Sequence, residues 1–425
     1  MKKIMLIILI FLLGCGGGNT TSENTPLASN EPVAEETNEV NISEDTTTLS
    51  NYEYLNKLRN SAGMISLNKN LILQTAAKNH AYYLYVNNKS GHYETEGKEG
   101  FTGVTPVDRA LNAGYYSKFV IENVSVGDDD YFSSIDHLFS AIYHRFGFLN
   151  FDINEIGIGN YQKDYVYDMG NYNLNKLCQK DNYQINYKYY VNVCKNEDLK
   201  IPYELYNDVI KNTENKNSRI VVWPYNGAHN VLPVFYEEDP DPLPDYSVSG
   251  YPISIQFNPY YFIDNVELNY FKLFDENGNE ILNTRLINSQ NDPNHEFTPK
   301  EFALFPLQRL EWGSVYNVEV SYTYNGNSYI LDWSFKTKTL PYPILRIESQ
   351  NSAFYINPSK TYALYFVPQS SDDIISWYRY SYPAGDDVEI GMIDHNTLRV
   401  KVDGNSGDRV RVELSNGDIV TLILE

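Results

Sequence analysis

The hydrophobic pattern of this chain changes period once, and that change restricts its fold more than any other feature. From residue 51 to about 145, apolar residues recur at helical spacing. Leu55 and Leu58 share one face, while Leu73, Ala77, His80, Ala81 and Leu84 share another on a helix that starts after Leu67. Thr105-Pro106-Val107-Asp108 is a helix start: a capping hydroxyl, a Pro in the first turn and an acid three residues past the cap. Gly114 supplies the stop. A third helix is expected over about 134–145, with Ile135, Leu138, Phe139 and Ile142 inward. Short strands follow at 155–159 and 165–169, so residues 50–200 predict an α+β sandwich.

Beyond residue 200 the helical spacing gives way to alternation. The run Glu237-Glu238-Asp239-Pro240-Asp241-Pro242-Leu243-Pro244-Asp245 is stiffened by its prolines and reads as a solvated connector in preference to a Ca²⁺ site. Period-two stretches occupy 253–257 and 317–322, with hairpin signals at Asn277-Gly278 and Asn325-Gly326. Leu310 to Tyr316, followed by Val318 and Val320, resembles the tyrosine corner of immunoglobulin-like sandwiches, with 333–337 as the closing strand. Strands at 398–402, 409–414 and 419–424, the last two joined by Asn416-Gly417, predict a second β module. Two all-β, Ig-like sandwich modules are therefore expected at 218–340 and 341–425.

The first residues bear on location. Lys2 and Lys3 precede an apolar run at 4–13, too short to span a bilayer as a helix and typical of an export signal. The run ends Leu12-Leu13-Gly14-Cys15, which resembles a bacterial lipobox; the resemblance implies cleavage after residue 14 and acylation of Cys15. Gly16 resembles the outer-membrane sorting pattern. The expected setting is the bacterial cell envelope, lipid-anchored, in the outer membrane. Residues 15–49 carry seven acids, no Lys or Arg and no aromatic residue, a composition that reads as a disordered tether. Lys plus Arg total 33 against 55 for Asp plus Glu, which argues against a nucleic-acid partner. The 38 tyrosines read either as compositional bias or as an aromatic recognition surface. With Cys15 assigned to lipid, Cys178 and Cys194 remain as a disulfide pair.

Four of the seven histidines, His80, His92, His137 and His144, fall between residues 80 and 144, and Glu122-Asn123 closes an apolar run among them. A buried carboxylate there needs a cation, a metal or several N–H donors. The ordered set of His80-Ala81, Ser90-Gly91-His92, the run 101–109, Ala113-Gly114-Tyr115, Glu122-Asn123, 141–145 and 155–159 resembles a bacterial CAP domain. This is the superfamily of cysteine-rich secretory proteins, antigen 5 and pathogenesis-related 1. The resemblance covers about a third of the chain and implies a CAP-type α-β-α sandwich. It also implies a cleft lined by two His and two Glu, with Zn²⁺ on the histidines in some members. Carried over by position, the metal candidates are His92, His144 and Glu122. The family's second Glu falls near Ser140 or Ala141 and is missing; Asp136 does not match, and Glu94 is the acid able to approach from its loop. His80, Arg109 and Asn123 are assigned to the cleft wall, His80 as a hydrogen-bonded residue and Arg109 as an ion-pair partner. His137 is expected at the surface. No His-Glu-x-x-His, Gly-x-Ser-x-Gly or phosphate loop occurs.

These features favour an envelope-anchored binding protein whose His/Glu cleft holds a divalent metal or small ligand, with a cell-wall or protein partner. One alternative is a zinc-dependent hydrolase acting on envelope peptide or peptidoglycan, with Glu122 and Glu94 as its acid candidates; the missing Glu weakens it. Another is a structural adhesin that binds through its β modules. Nonreducing mass spectrometry of the exported protein is expected to find a Cys178–Cys194 peptide; two free thiols would refute the pairing.

Overall fold

The computed structural model describes residues 49–425, so the expected signal, lipidated Cys15 and tether lie outside the described residues. Residues Asn51 onward form one compact unit. Seven helices occur among the described residues: α1 (Asn51–Ser61), α2 (Leu71–Asn87), α3 (Pro106–Ala113), α4 (Tyr131–Ser140), α5 (Ile142–Phe148), α6 (Tyr172–Leu177) and α7 (Tyr203–Glu214). Four strands build the first sheet: β1 (Asn68–Lys69), β2 (Val120–Val126), β3 (Glu155–Tyr161) and β4 (Asp164–Gly170). They run in the order β1-β3-β4-β2, which leaves β2 at an edge. Alternation along β4 sends Tyr165, Tyr167 and Met169 into the core with α1 and α4, and Val166 into the opposite core with α2. The α-β-α sandwich expected from the sequence is the one formed. Gly157 and Gly159 let α2 lie directly on β3: a Cβ on Gly157 would sit 1.9 Å from the Gln74 nitrogen, and one on Gly159 2.2 Å from that of Lys78. α3 starts as expected, with a Thr105–Asp108 capping box and Pro106 in its first turn.

The single helix expected over 134–145 is two helices, broken at Ala141, whose backbone is extended. The cause is Arg145, which is fully buried. Its guanidinium donates to the carbonyls of Phe139 (2.6 Å) and Ser140 (3.4 Å), which an unbroken helix would give to amides one turn on. The amide of Tyr143, freed by the break, donates instead to Glu238 at 2.9 Å.

Arg145 also reaches out of this domain, donating to the Pro252 carbonyl (2.8 Å) and Ser254 Oγ (3.1 Å). Phe139 stacks on Trp223 with centroids 4.2 Å apart. Trp223 Nε1 donates to Tyr251 Oη, whose hydroxyl donates to the Phe139 carbonyl. One hydrophobic core runs through Leu55, Phe139, Phe148, Trp223, Ile253 and Phe335. The first β module is thus fused to the α+β domain. The connector is solvated only in part: Glu237, Asp239 and Asp245 are exposed as expected, whereas the Glu238 side chain and Leu243 are buried. Sequence reading also missed α7, whose last turn is tied to the β module by Asn258 Nδ2 donating to the Glu214 carbonyl (2.8 Å).

Each β module is a pair of four-stranded sheets. In the first, Ala228–Val231, Glu267–Phe274, Val315–Tyr324 and Asn327–Thr337 face Ile220–Trp223, Ile253–Phe257, Thr284–Asn288 and Glu301–Pro306. The expected tyrosine corner is present, the Glu311 amide donating to Tyr316 Oη at 3.0 Å. The second module repeats it with the same spacing: the Asn357 amide donates to Tyr362 Oη at 3.0 Å. Its sandwich has its own core around Leu364, Val400, Val412 and Leu422. Among the described residues no helix is long and apolar enough to cross a membrane.

Cys178 and Cys194 are joined as expected, their Cα atoms 5.3 Å apart. Near α7, burial and the neighbouring Glu214 push the Asp152 carboxyl up to about 8, and burial raises Glu214 as well. Burial also lifts Asp136 to about 6. Between pH 5 and 8 the folded chain therefore holds protons that the unfolded chain has lost, so stability falls as pH rises. Thermal melts are expected to show the highest Tm near pH 5 and a lower one at pH 8.5. Asp152→Asn should narrow the stability difference between those two pH values by roughly 1–3 kcal/mol. A slope unchanged in the variant would refute the assignment.

Candidate functional site

The site is organised by alternation along the edge strand β2. Glu122 pairs with Asp168 across β4 and faces α2 and α3, whereas its neighbour Asn123 faces α5. Two consecutive residues thereby hold the two layers that supply the histidines.

On the Glu122 side lies a buried polar cluster. Arg109 Nη2 donates to Glu122 Oε2 at 2.6 Å, and its Nη1 donates to the His92 carbonyl at 3.0 Å. His92 Nδ1 lies 2.9 Å from Glu122 Oε1, so this carboxylate fixes both the ring and, through Arg109, the loop that carries it. Burial alone would raise the Glu122 carboxyl, but Arg109, His80 and His92 together hold it well below the usual carboxylate range. Glu94 is equally committed. It meets His80 Nδ1 at 3.0 Å and accepts the amides of Thr102 (2.6 Å) and Gly103 (3.3 Å). His80 Nε2 faces the Gly91 carbonyl at 3.0 Å. His80, Glu94 and Arg109 are therefore architectural: they shape the loop that carries His92 rather than line an open surface.

On the other side, Asn123 Nδ2 donates to the His144 carbonyl at 2.8 Å, and Gly147 leaves room for the Asn123 side chain. This fixes α5 against the sheet edge. His92 and His144 then face one another, centroids 6.1 Å apart and planes 23° apart, each side chain 13% exposed. Burial, with a smaller contribution from His92, pushes the His144 imidazole down to about 3, so it is neutral at physiological pH. His137 is exposed and pairs with Asp128 at 2.6 Å, away from this pair. Asp136 accepts from the Tyr54 hydroxyl at 2.5 Å and plays no part in the site.

Two groups that sequence reasoning missed lie here. Asp168 is fully buried beneath Glu122, and that carboxylate is the group its own carboxyl meets. Burial and the Glu122 charge hold it protonated, far above the usual range. Its signal was its place opposite an acid on the neighbouring strand, which is legible only once the register is known. Glu238 comes from the connector, its Oε1 3.9 Å from His144 Nδ1, and burial pushes its carboxyl up to about 8. Nothing in an acidic, proline-rich run marked one of its acids for burial.

The expected ligand set of His92, His144 and Glu122 fits a metal only in part. Both Glu122 oxygens are engaged by Arg109 and His92, so Glu122 stands behind a histidine instead of offering a free lone pair. Among the described residues no group of three His, Cys, Asp or Glu side chains is disposed to hold a metal ion. The two imidazoles are the donors that remain, a chemistry suited to zinc-class cations.

Residues 52–172 match the model of the cysteine-rich secretory protein family, CAP. Among solved structures, the chain is similar to an extracellular protein containing an SCP domain from Bacillus anthracis (20% identity, TM-score 0.26). That match covers 28% of this chain and 38% of the other, so it spans well under half of that protein. An outer surface protein from Borrelia burgdorferi matches at 19% identity and TM-score 0.25, covering 28% of this chain and 87% of its own. Tandem Ig domains of titin match at 14% identity and TM-score 0.18, covering 41% of this chain and 87% of theirs. A comparison with curated proteins returns no match.

Because Arg109 neutralises a carboxylate inside the protein, removing it leaves an uncompensated buried charge. Arg109→Ala is expected to lower unfolding stability by about 3–5 kcal/mol in urea titrations. Arg109→Ala paired with Glu122→Gln should recover part of that loss. A loss below about 1 kcal/mol in the single variant would mean that water reaches the pair.

Proposed function

We propose that this chain, which carries a CAP domain at residues 52–172, is an exported, envelope-tethered binding protein. Its ligand is a zinc-class divalent cation held between His92 and His144. The observation that carries the reading is the facing pair itself: imidazoles from opposite layers, 6.1 Å apart, at an edge that Glu122 and Asn123 hold in place. His92 turns Nδ1 to a carboxylate, and among the described residues its Nε2 receives no protein hydrogen bond. That is the arrangement a metal-binding imidazole adopts. When bound, such a cation offers open positions to a carboxylate or hydroxyl of a further ligand. The disulfide supports an oxidising compartment, and the lipobox-like start supports anchoring through Cys15.

Hydrolysis is less favoured, because a general base must be ionised and free to take a proton. Glu122 is tied to Arg109, and Asp168 is protonated and sealed. A specific observation favours the adhesin reading as a second one. Tyr378, Tyr380 and Tyr382 stack in a ladder, centroids 6.5 and 5.8 Å apart, beside an exposed Trp377 on an edge strand of the last module. Retention of the full chain by cell-wall material, lost in Tyr380→Ala with Tyr382→Ala, would support it.

The leading reading is tested by titrating Zn²⁺ into the detergent-solubilised full chain by calorimetry, beside a His92→Ala, His144→Ala variant. Stoichiometric binding in the parent and none in the variant is expected. Silence in the parent, or equal binding in both, would refute the metal site.

A further inference from the structure

We propose that Glu238 is the positioning carboxylate of His144, so that the connector completes the histidine pair from outside the CAP domain. The inference rests on the reading of that pair as a divalent-cation site and assigns the group that orients its second imidazole.

The two histidines are backed unequally. His92 Nδ1 has Glu122 at 2.9 Å, within the same domain. His144 Nδ1 is buried and makes no hydrogen bond, and the carboxylate facing it is Glu238, at 3.9 Å. The Glu238 side chain is 2% exposed, and its Oε2 likewise has no partner. The unsatisfied ring nitrogen faces Oε1, the oxygen that accepts the Tyr143 amide, across a gap about 1 Å too long for a hydrogen bond, and the same carboxyl group carries the unpartnered Oε2. Closing it would give His144 what His92 already has. Each ring would donate Nδ1–H to a carboxyl oxygen and present the Nε2 lone pair to one bound cation.

The surroundings aim Glu238 at this position. Its Oε1 accepts the Tyr143 amide at 2.9 Å, one residue before His144. The Tyr143 hydroxyl donates to Asp292 and accepts from Asn294 Nδ2 at 2.9 Å; the same Asn294 amide donates to the Asp241 carbonyl at 2.7 Å. One loop of the β module thereby holds both Tyr143 of α5, whose amide Glu238 accepts, and Asp241 of the connector, three residues past Glu238.

The test is Zn²⁺ alone, titrated into the detergent-solubilised full chain and its Glu238→Gln and Glu238→Asp variants. Glu238→Gln keeps an acceptor for the Tyr143 amide, so the fold is expected to survive. Its Zn²⁺ affinity should fall about 10–100-fold, with Glu238→Asp between it and the parent. Selective ¹⁵N-histidine spectra of the zinc-loaded parent should show His144 protonated at Nδ1 with the metal on Nε2, a signature that a merely structural Glu238 would not set. Equal affinity in parent and Glu238→Gln, or metal on Nδ1 of His144, would overturn the assignment while leaving the cation site standing. A parent that binds no Zn²⁺ through His92 and His144 would overturn both.

Discussion

The arrangement depends on one buried cation. Arg145 carries its charge into a region where no water reaches it, and it is solvated by carbonyls at 139, 140 and 252 and by the Ser254 hydroxyl. Its ring-facing contact with Tyr251, 5.0 Å to the centroid, completes that shell. Taking the carbonyls of Phe139 and Ser140 denies them to the helix, so the backbone turns at Ala141 and restarts as α5. That restart turns His144 toward His92 and leaves the Tyr143 amide for Glu238. The same guanidinium binds the next module. Helix break, histidine placement and domain fusion thus follow from one side chain's need for acceptors.

The disulfide was legible from the cysteine count once Cys15 was set aside, and the helices at 51–61, 71–87 and 106–113, the paired strands at 155–161 and 164–170 and both β modules from periodicity, caps and turn residues. These are local signals, carried by residues within a turn or two of one another. The break at Ala141 was not legible, because Arg145, which causes it, is also held by acceptors more than a hundred residues away at Pro252 and Ser254. Helix α7 escaped because its inward residues Tyr206, Val209 and Ile210 follow directly on Pro202 and a polar stretch. The burial of Glu238 contradicts the solvated reading that its acidic neighbours invite. In the site, the family pattern located His92, Glu122 and His144, but it did not reveal that Glu122 is spoken for by Arg109.

The tyrosine load has a plainer use than recognition over most of its length. Tyr115, Tyr143, Tyr167, Tyr251, Tyr316 and Tyr362 each bury a ring and place the hydroxyl on a defined polar atom. A phenol suits such positions because it fills core volume and still satisfies a buried amide or carboxylate. Other tyrosines, Tyr187 and Tyr355 among them, are exposed, and in the last module three of them line up as the stacked ladder.

The last module also has a mechanical character. Its strand Ser352–Ile356 lies parallel to the final strand, Ile419–Leu424, through five paired positions. A pull between the connector side and the chain's C-terminal end draws these neighbours along their length in opposite directions. The backbone bonds between them are then strained together, as in a lap joint, instead of opening one after another like a zipper. A module built this way would lengthen little under tension until that whole seam gave at once.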